Sequence, residues 1–242
     1  MFTKIEFTDD GSHTLYNNQL GESYHSLRGA VQESRHVFVD AGFEYFASKD
    51  NFRILEIGFG TGLNVLLAML EARKRKLKVY FETIEAFPVA EKTIAQLNYA
   101  DVLECEIQDF AYLHKLTWNE IHFLDDFRFQ KLHLDLATYL AGETGKDFDI
   151  IYFDAFSPNT QPEMWTQEVF EALRKTLVPQ GILLTYSSKG TVKQALRAAG
   201  FKVERLSGIG GKRHVLRAKN QDFKNQDFKN QDFKNQESGR LE

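Results

Sequence analysis

Cysteine is nearly missing from this chain: Cys105 is the only one in 242 residues, so no internal disulfide can form and the protein reads as one of a reducing compartment. The solitary thiol itself reads as packing rather than as a nucleophile. Long apolar runs are missing too. No stretch approaches the roughly 18 consecutive apolar residues of a membrane span. The opening Met1-Phe2-Thr3-Lys4-Ile5-Glu6 lacks the basic-then-apolar order of a secretory leader, so the expected place is the cytoplasm. There is no excess of positive charge either. A formal net charge of −4 argues against nonspecific nucleic-acid binding by the whole surface, although that sum leaves room for a local basic face. What the chain does have is 43% hydrophobic residues, enough for one sizeable core.

Residues 4–8 and 12–16 flank Asp9-Asp10-Gly11, a turn signal that predicts a short β-hairpin ahead of the main domain. Leu27, Ala30, Val31, Ser34, Val37, Phe38, Ala41 and Tyr45 recur at helical spacing and predict a long amphipathic helix over about 27–47. Beyond it, strands and helices alternate. Strands are expected at 52–57, 79–86, 131–135, 148–154 and 181–186, with helices over 63–76, 89–97, 163–177 and 189–199 between and after them. A closing pair, 201–206 and 213–218, would leave one antiparallel strand at the end of the sheet. This alternation predicts a doubly wound α/β fold with a mostly parallel seven-stranded sheet, a C-terminal antiparallel hairpin and a small N-terminal β-hairpin extension. The segment 100–130 mixes Trp118, Phe123, Phe127 and Phe129 with acidic residues and reads as irregular cover. The expected division is an extension over 1–24, one domain over 25–219 and a low-complexity tail over 220–242. In that tail Asn-Gln-Asp-Phe-Lys starts at Asn220, Asn225 and Asn230, a five-residue period that lines up no face and reads as disorder.

The most informative stretch is Ile54-Leu55-Glu56-Ile57-Gly58-Phe59-Gly60-Thr61-Gly62-Leu63-Asn64, where a buried strand runs into glycines spaced by two and then into a helix. Such a loop lets backbone approach a ligand closely. A dinucleotide site wants G-x-G-x-x-G, whereas bulky Leu63 follows Gly62 here, and the E-x-G-x-G-x-G form looks like the first motif of Rossmann-type methyltransferases. The bland alternative is a tight turn with no ligand. Glu85, closing the second strand about 25 residues on, is placed to accept both hydrogen bonds of a ribose diol. Asp135 is placed either to bind an adenine amino group or to cap the helix beginning at Leu136.

Ile150 to Phe153 carry Asp154 to the carboxyl end of a buried strand, just before Ala155-Phe156-Ser157-Pro158, and ligands of open α/β sheets bind at that end. An alkyl amine with a pKa of about 10 is almost wholly protonated at neutral pH and needs an acceptor for its proton. Asp154 is the candidate acceptor, its alternative being a loop-stapling or capping carboxylate. Phe156, Pro158, Met164 and Trp165 offer faces for a flipped base, with core packing the stronger expectation for Trp165. Lys202, Arg205, Lys212, Arg213, His214, Arg217 and Lys219 gather against only Glu204, a composition suited to phosphates or to a charged, protected edge strand. Arg73 to Lys78 is a second basic cluster with the same ambiguity.

With these residues in place the chain resembles the bacterial tRNA 5-aminomethyl-2-thiouridine methyltransferase family. The resemblance rests on Tyr24-His25-Ser26, Glu33-Ser34-Arg35-His36-Val37-Phe38, Glu56 through Asn64, Glu85-Ala86-Phe87-Pro88, Asp154 through Pro158, and Pro162-Glu163-Met164-Trp165-Thr166. It implies the class I methyltransferase fold, S-adenosylmethionine as cofactor, tRNA as substrate and no metal. It further implies transfer of a methyl group to the exocyclic amine of 5-aminomethyl-(2-thio)uridine at the wobble position. In that family the domain occurs alone or fused to an FAD-dependent oxidase that removes a carboxymethyl group from the same base. The expectation is a stand-alone enzyme that works with a separate producer of the amine. The resemblance also implies that Glu56, Gly58, Phe59, Gly60, Thr61, Gly62, Asn64 and Glu85 hold the cofactor and that Asp135 takes its adenine. Tyr24 and Glu33 would close over it, Asp154 would take the proton, and Phe156, Pro158, Lys212 and Arg213 would meet the tRNA. Ala155 departs from the glycine often found in the pattern, and the repeat tail has no counterpart in it.

Three rival readings share these features: a polyamine-synthase-type aminopropyltransferase, a catalytically silent tRNA-binding module of the same fold, and a nicotinamide-dependent dehydrogenase. The apolar loop after Asp154 disfavours the first and the Leu63 spacing disfavours the last.

Overall fold

The computed structural model describes residues 3–142, 147–209, 211 and 214–221. Lys212, Arg213 and the tail from 222 onward lie outside them. The chain opens with an antiparallel hairpin, β1 (Thr3–Phe7) and β2 (His13–Asn17), to which a short β3 (Glu22–Ser23) adds, so the extension is a three-stranded sheet rather than a bare hairpin. The predicted long helix is present in three registers: α1 (Ala30–Ser34), a π-helical stretch Arg35–Asp40, and α2 (Ala41–Tyr45). Widening to i→i+5 inserts an extra residue in the turn, a device that often accompanies functional sites.

The main sheet follows: β4 (Asn51–Ile57), α3 (Leu63–Arg75), β5 (Lys78–Ile84), the short helices α4 (Glu91–Ile94) and α5 (Tyr99–Val102), α6 (Ile107–Lys115), β6 (Ile121–Leu124), β7 (Phe127–Leu132), α7 (Leu136–Ala141), β8 (Phe148–Phe153), α8 (Gln167–Lys175), β9 (Leu177–Thr185), α9 (Gly190–Ala198), β10 (Phe201–Ser207) and β11 (His214–Asn220). The strands lie in the order β10-β11-β9-β8-β4-β5-β7-β6, which makes the sheet eight-stranded where seven were expected. The extra strand, β6, pairs antiparallel with β7 inside the segment read as irregular. β7 ends at Leu132, so the strand expected over 131–135 lies earlier, and residues 133–135 form the loop beyond it. At the other side β11 lies antiparallel between β9 and β10, so the antiparallel strand is one in from the edge.

Period-two burial explains why β4 is central. Phe52 and Ile54 enter the core on one face while Leu55 and Ile57 enter the core on the other, and none exceeds 2% exposure. A strand with no wet face belongs in the middle of a covered parallel sheet, and each such side chain contributes about 1.5–3 kcal/mol on burial. α3 forms because Leu63, Leu66 and Leu67 recur on its inner face, and it ends at Lys76 in the left-handed conformation (φ 58°) after the basic turn Arg73-Lys74-Arg75, which suits the negative end of the dipole. From central β4 the chain proceeds to β5 on one side and returns to β8 on the other. The crevice outside the carboxyl ends of these strands is where such a sheet binds its ligand.

Candidate active site

Gly58 follows β4, Glu85 follows β5, Asp154 follows β8 and Tyr186 follows β9, all at the same end of the sheet. Backbone bonds continue the ladder into these loops: Gly58 N–H donates to the Ile84 carbonyl (3.0 Å) and Asp154 N–H to the Ile57 carbonyl (3.1 Å). There the loops enclose a cavity of about 660 Å³, a size that accommodates a drug-sized ligand. Of the residues singled out in the sequence, Tyr24, Glu33, Gly58, Phe59, Gly60, Thr61, Asn64, Glu85, Asp135, Asp154 and Phe156 line it. Glu56, Gly62 and Pro158 do not.

Positive φ at Gly58 (93°), Gly60 (50°) and Gly62 (76°) explains the glycine spacing. A Cβ on Gly60 would stand 3.2 Å from the Tyr24 ring, so the loop and the N-terminal sheet approach each other across the cavity. At Gly62 a Cβ would meet His114 Nε2 at 2.7 Å, so that glycine serves packing against α6 rather than a ligand. Phe59, which lines the cavity, packs its ring against His114, Trp118 and Phe129.

Glu85 is held by two backbone donors: Gly60 N–H to Oε2 (3.0 Å) and Phe87 N–H to Oε1 (2.9 Å). Each carboxylate oxygen has further lone-pair capacity, so loop stapling and diol binding are compatible. Asp135 caps α7, accepting from Thr138 N–H at 2.7 Å and the Thr138 hydroxyl at 3.0 Å, and these bonds hold its carboxyl below the usual range. It also lines the cavity, so its two sequence readings do not exclude each other.

Asp154 accepts from Asn64 Nδ2 at 2.8 Å. Its loop is fixed from several sides. Tyr186 donates its hydroxyl to the Ala155 carbonyl (2.9 Å) and Trp165 Nε1–H donates to the Phe156 carbonyl (2.8 Å). Trp165 packs its ring on Phe153, which bears out the core expectation, whereas Met164 lines the cavity. Glu22, which the sequence reading missed, reaches from β3 to accept from Ser157 N–H (3.2 Å) and the Thr160 hydroxyl. Tyr24 and Phe156 meet edge to face at 5.0 Å.

Electrostatically the cavity is one-sided. Glu22, Glu33, Glu85, Asp135, Asp154 and Glu163 line it, and no lysine or arginine does so among the described residues. Burial, reinforced by Glu85, pushes the Tyr24 phenol up to about 12, and burial together with the charges of Asp154, Glu22 and Glu33 drives the Tyr186 phenol above its ordinary range. Both therefore act as neutral hydroxyls. Asn64 is 4% exposed and its Oδ1, itself buried, has no hydrogen-bond partner among the described residues. Acidic walls and a backbone loop that excludes side chains fit a cationic sulfonium ligand bearing an ammonium group and a ribose.

The basic face looks different in three dimensions. Glu204 pairs with both Arg217 (2.9 Å) and Lys219 (2.8 Å), whose cations also lie over the Tyr45 ring, so these residues brace the sheet edge. Arg73 is likewise paired with Asp109. Among the described residues no helix is long and apolar enough to cross a membrane.

Glu85→Gln tests the ribose assignment. The amide keeps the volume, loses the charge and places an N–H₂ where one of two acceptor oxygens stood, each of which also meets a backbone N–H. S-adenosylmethionine affinity measured by calorimetry is expected to fall by about 10- to 100-fold, the equivalent of about 1.4–2.8 kcal/mol.

Comparison with known proteins agrees with this geometry. The family profile described as S-adenosyl-L-methionine-dependent methyltransferase matches residues 100–221. The protein of Azoarcus sp. (strain BH72) called tRNA 5-methylaminomethyl-2-thiouridine biosynthesis bifunctional protein MnmC is 30% identical over 238 residues, covering 89% of this chain and 35% of that protein. Its namesake from Ectopseudomonas mendocina is 32% identical over 83% of this chain and 32% of its own length. The chain thus spans about a third of the length of these curated relatives. The crystal structure of MnmC2 from Aquifex aeolicus superposes with a TM-score of 0.77 at 28% identity, covering 91% of this chain and 70% of that one. The chain belongs to the S-adenosyl-L-methionine-dependent methyltransferase family, among its MnmC-type members.

Proposed function

We propose that this protein transfers the methyl group of S-adenosylmethionine to the exocyclic amine of 5-aminomethyl-(2-thio)uridine at the wobble position of tRNA. The observation that carries the reading is the carboxylate of Asp154, set at the carboxyl end of β8 beside the glycine loop, in a cavity lined by acids and by no lysine or arginine among the described residues. Such a cavity favours a cationic amine over a neutral or acidic acceptor. The relatives named for 5-methylaminomethyl-2-thiouridine biosynthesis supply the identity of the amine.

When bound, S-adenosylmethionine supplies an electrophilic methyl on a sulfonium centre. The backbone of Gly58 and Gly60 makes room for it, Glu85 takes the ribose diol and Asp135 the adenine amino group. Tyr24 and Glu33 border the cavity from the N-terminal side and exclude water. Asp154 accepts the ammonium proton and holds the amine for in-line attack, so positioning and desolvation carry most of the rate. Phe156 receives the base, with Pro158 outside the cavity, and Lys212 and Arg213, outside the described residues, are assigned to tRNA phosphates. The tRNA must already carry the aminomethyl base when it reaches this site.

The test uses S-adenosylmethionine labelled in its methyl group and tRNA bearing the unmethylated aminomethyl base, followed by digestion and identification of the labelled nucleoside. Label in methylaminomethyluridine is the expected result. Label only in added polyamine, or in no nucleoside at all, would overturn it in favour of a polyamine acceptor or a silent binding module.

A further inference from the structure

Asn64 stands between two carboxyl groups of different character. On one side its Nδ2 donates to Asp154 Oδ2 at 2.8 Å. On the other its amide faces Glu56, which is 1% exposed and whose Oε2 accepts from the Thr83 hydroxyl at 2.7 Å. Glu56 comes from β4, Thr83 from β5, Asn64 from the first turn of α3 and Asp154 from the end of β8, so one short chain of polar contacts ties together the elements that meet beneath the cavity. Sequence reasoning placed Glu56 with the cofactor, but it does not line the cavity, and its influence there passes through Asn64.

Two ionised carboxylates this close to one amide would repel. Burial resolves the conflict by pushing the Glu56 carboxyl well above its ordinary range, and the nearby Asp154 charge pushes the same way. Glu56 is thereby set apart from Asp154 by its environment, a separation that recurs wherever two carboxyl groups divide acid and base roles. The amide of Asn64 is then the rigid piece between them. It is nearly fully buried, anchored on a helix, and carries its donor to one oxygen of Asp154.

We propose that Asn64 is a positioning residue for methyl transfer: braced by Glu56 and Thr83, its amide fixes the direction in which Asp154 presents its carboxylate to the amine. This rests on the reading of Asp154 as the proton acceptor. The donor nitrogen serves Asp154, and the oxygen Oδ1 is buried with no hydrogen-bond partner among the described residues.

Asn64→Asp keeps the shape of the side chain and removes the donor to Asp154. The expected result is S-adenosylmethionine affinity by calorimetry within about threefold of the parent, kcat lower by at least about 30-fold, and an acidic limb of the kcat/KM profile moved to higher pH. Asn64→Ser, which removes the bridge without adding charge, lowers kcat likewise and decides the matter where the aspartate disturbs folding in a thermal melt. Unchanged kcat with an unmoved pH limb in a folded variant overturns the proposal, as does weakened cofactor binding with kcat intact. If the parent protein methylates no aminomethyl base, the functional reading fails instead. Parental turnover with indifferent variants defeats the positioning role alone.

Discussion

Asp154→Asn is expected to lower kcat by about 10²- to 10⁴-fold while cofactor affinity changes little. The substitution is nearly isosteric, and the asparagine carbonyl can still accept from Asn64 Nδ2, so the loop held by Tyr186, Trp165 and Glu22 has no reason to move. What disappears is the acceptor for the ammonium proton. An amine with a pKa of about 10 is free base in only about one molecule in a thousand at pH 7, and each pH unit upward raises that fraction about tenfold. The deficit of the variant should therefore shrink as pH rises toward 10. A single-turnover pH series on both proteins reads this directly. A deficit that stays constant across that range would assign Asp154 to geometry rather than to proton transfer.

The second large effect concerns acid stability. His114 on α6 lies under the glycine loop, its ring against Phe59 and Phe110 and its Nε2 3.1 Å from the Thr61 carbonyl. A carbonyl only accepts, so Nε2 carries a proton and donates it to Thr61. Burial, aided by the Lys131 ammonium on β7, pushes its pKa down to about 4. The unfolded chain takes up a proton near 6.5 and the folded chain resists until about 4, so stability is complete above 6.5 and is lost as pH falls through that window. The gap is worth about 3 kcal/mol, a large share of the stability of an ordinary domain. Melting temperature followed from pH 7.5 to 4.5 should drop steeply in the parent and more shallowly in His114→Gln, with both curves compared at fixed cofactor concentration because ligand binding adds its own stabilisation. Parallel curves would place the acid sensitivity elsewhere.

These two residues also mark the limits of what the sequence displayed. Asp154 was legible because its signal is local: a run of buried residues from Phe148 to Phe153 ends in a carboxylate, and parallel sheets bind ligands there. The glycine loop and Glu85 were legible for the same reason. His114 gave no such signal, since its significance lies in a contact with Thr61 across 53 positions and in the space that Gly62 leaves for its ring. Glu22 was hidden in a two-residue strand too short to show a period. β6 escaped, and β7 was placed too late, because Ile121 and Phe123 are exposed on an edge strand while Phe127 and Phe129 are buried, so the aromatic pattern changes face within a few residues. Lys131 is the sharpest case. A lysine reads as solvent-facing, yet it is 1% exposed and donates to the carbonyls of Leu113 and His114 at the end of α6, a cation serving as the helix's C-terminal cap.

The position of β11 bears on how the protein is made. Synthesis runs from the N-terminus, so β9 and β10 leave the ribosome before the strand that must lie between them. A nascent chain stopped short of His214 holds both neighbours with their facing edges unpaired, and Tyr45 lacks the cations of Arg217 and Lys219 that cover it. Completion of the sheet is thereby deferred until Asn220 has emerged, and until then the half-built molecule carries open edges that invite other chains.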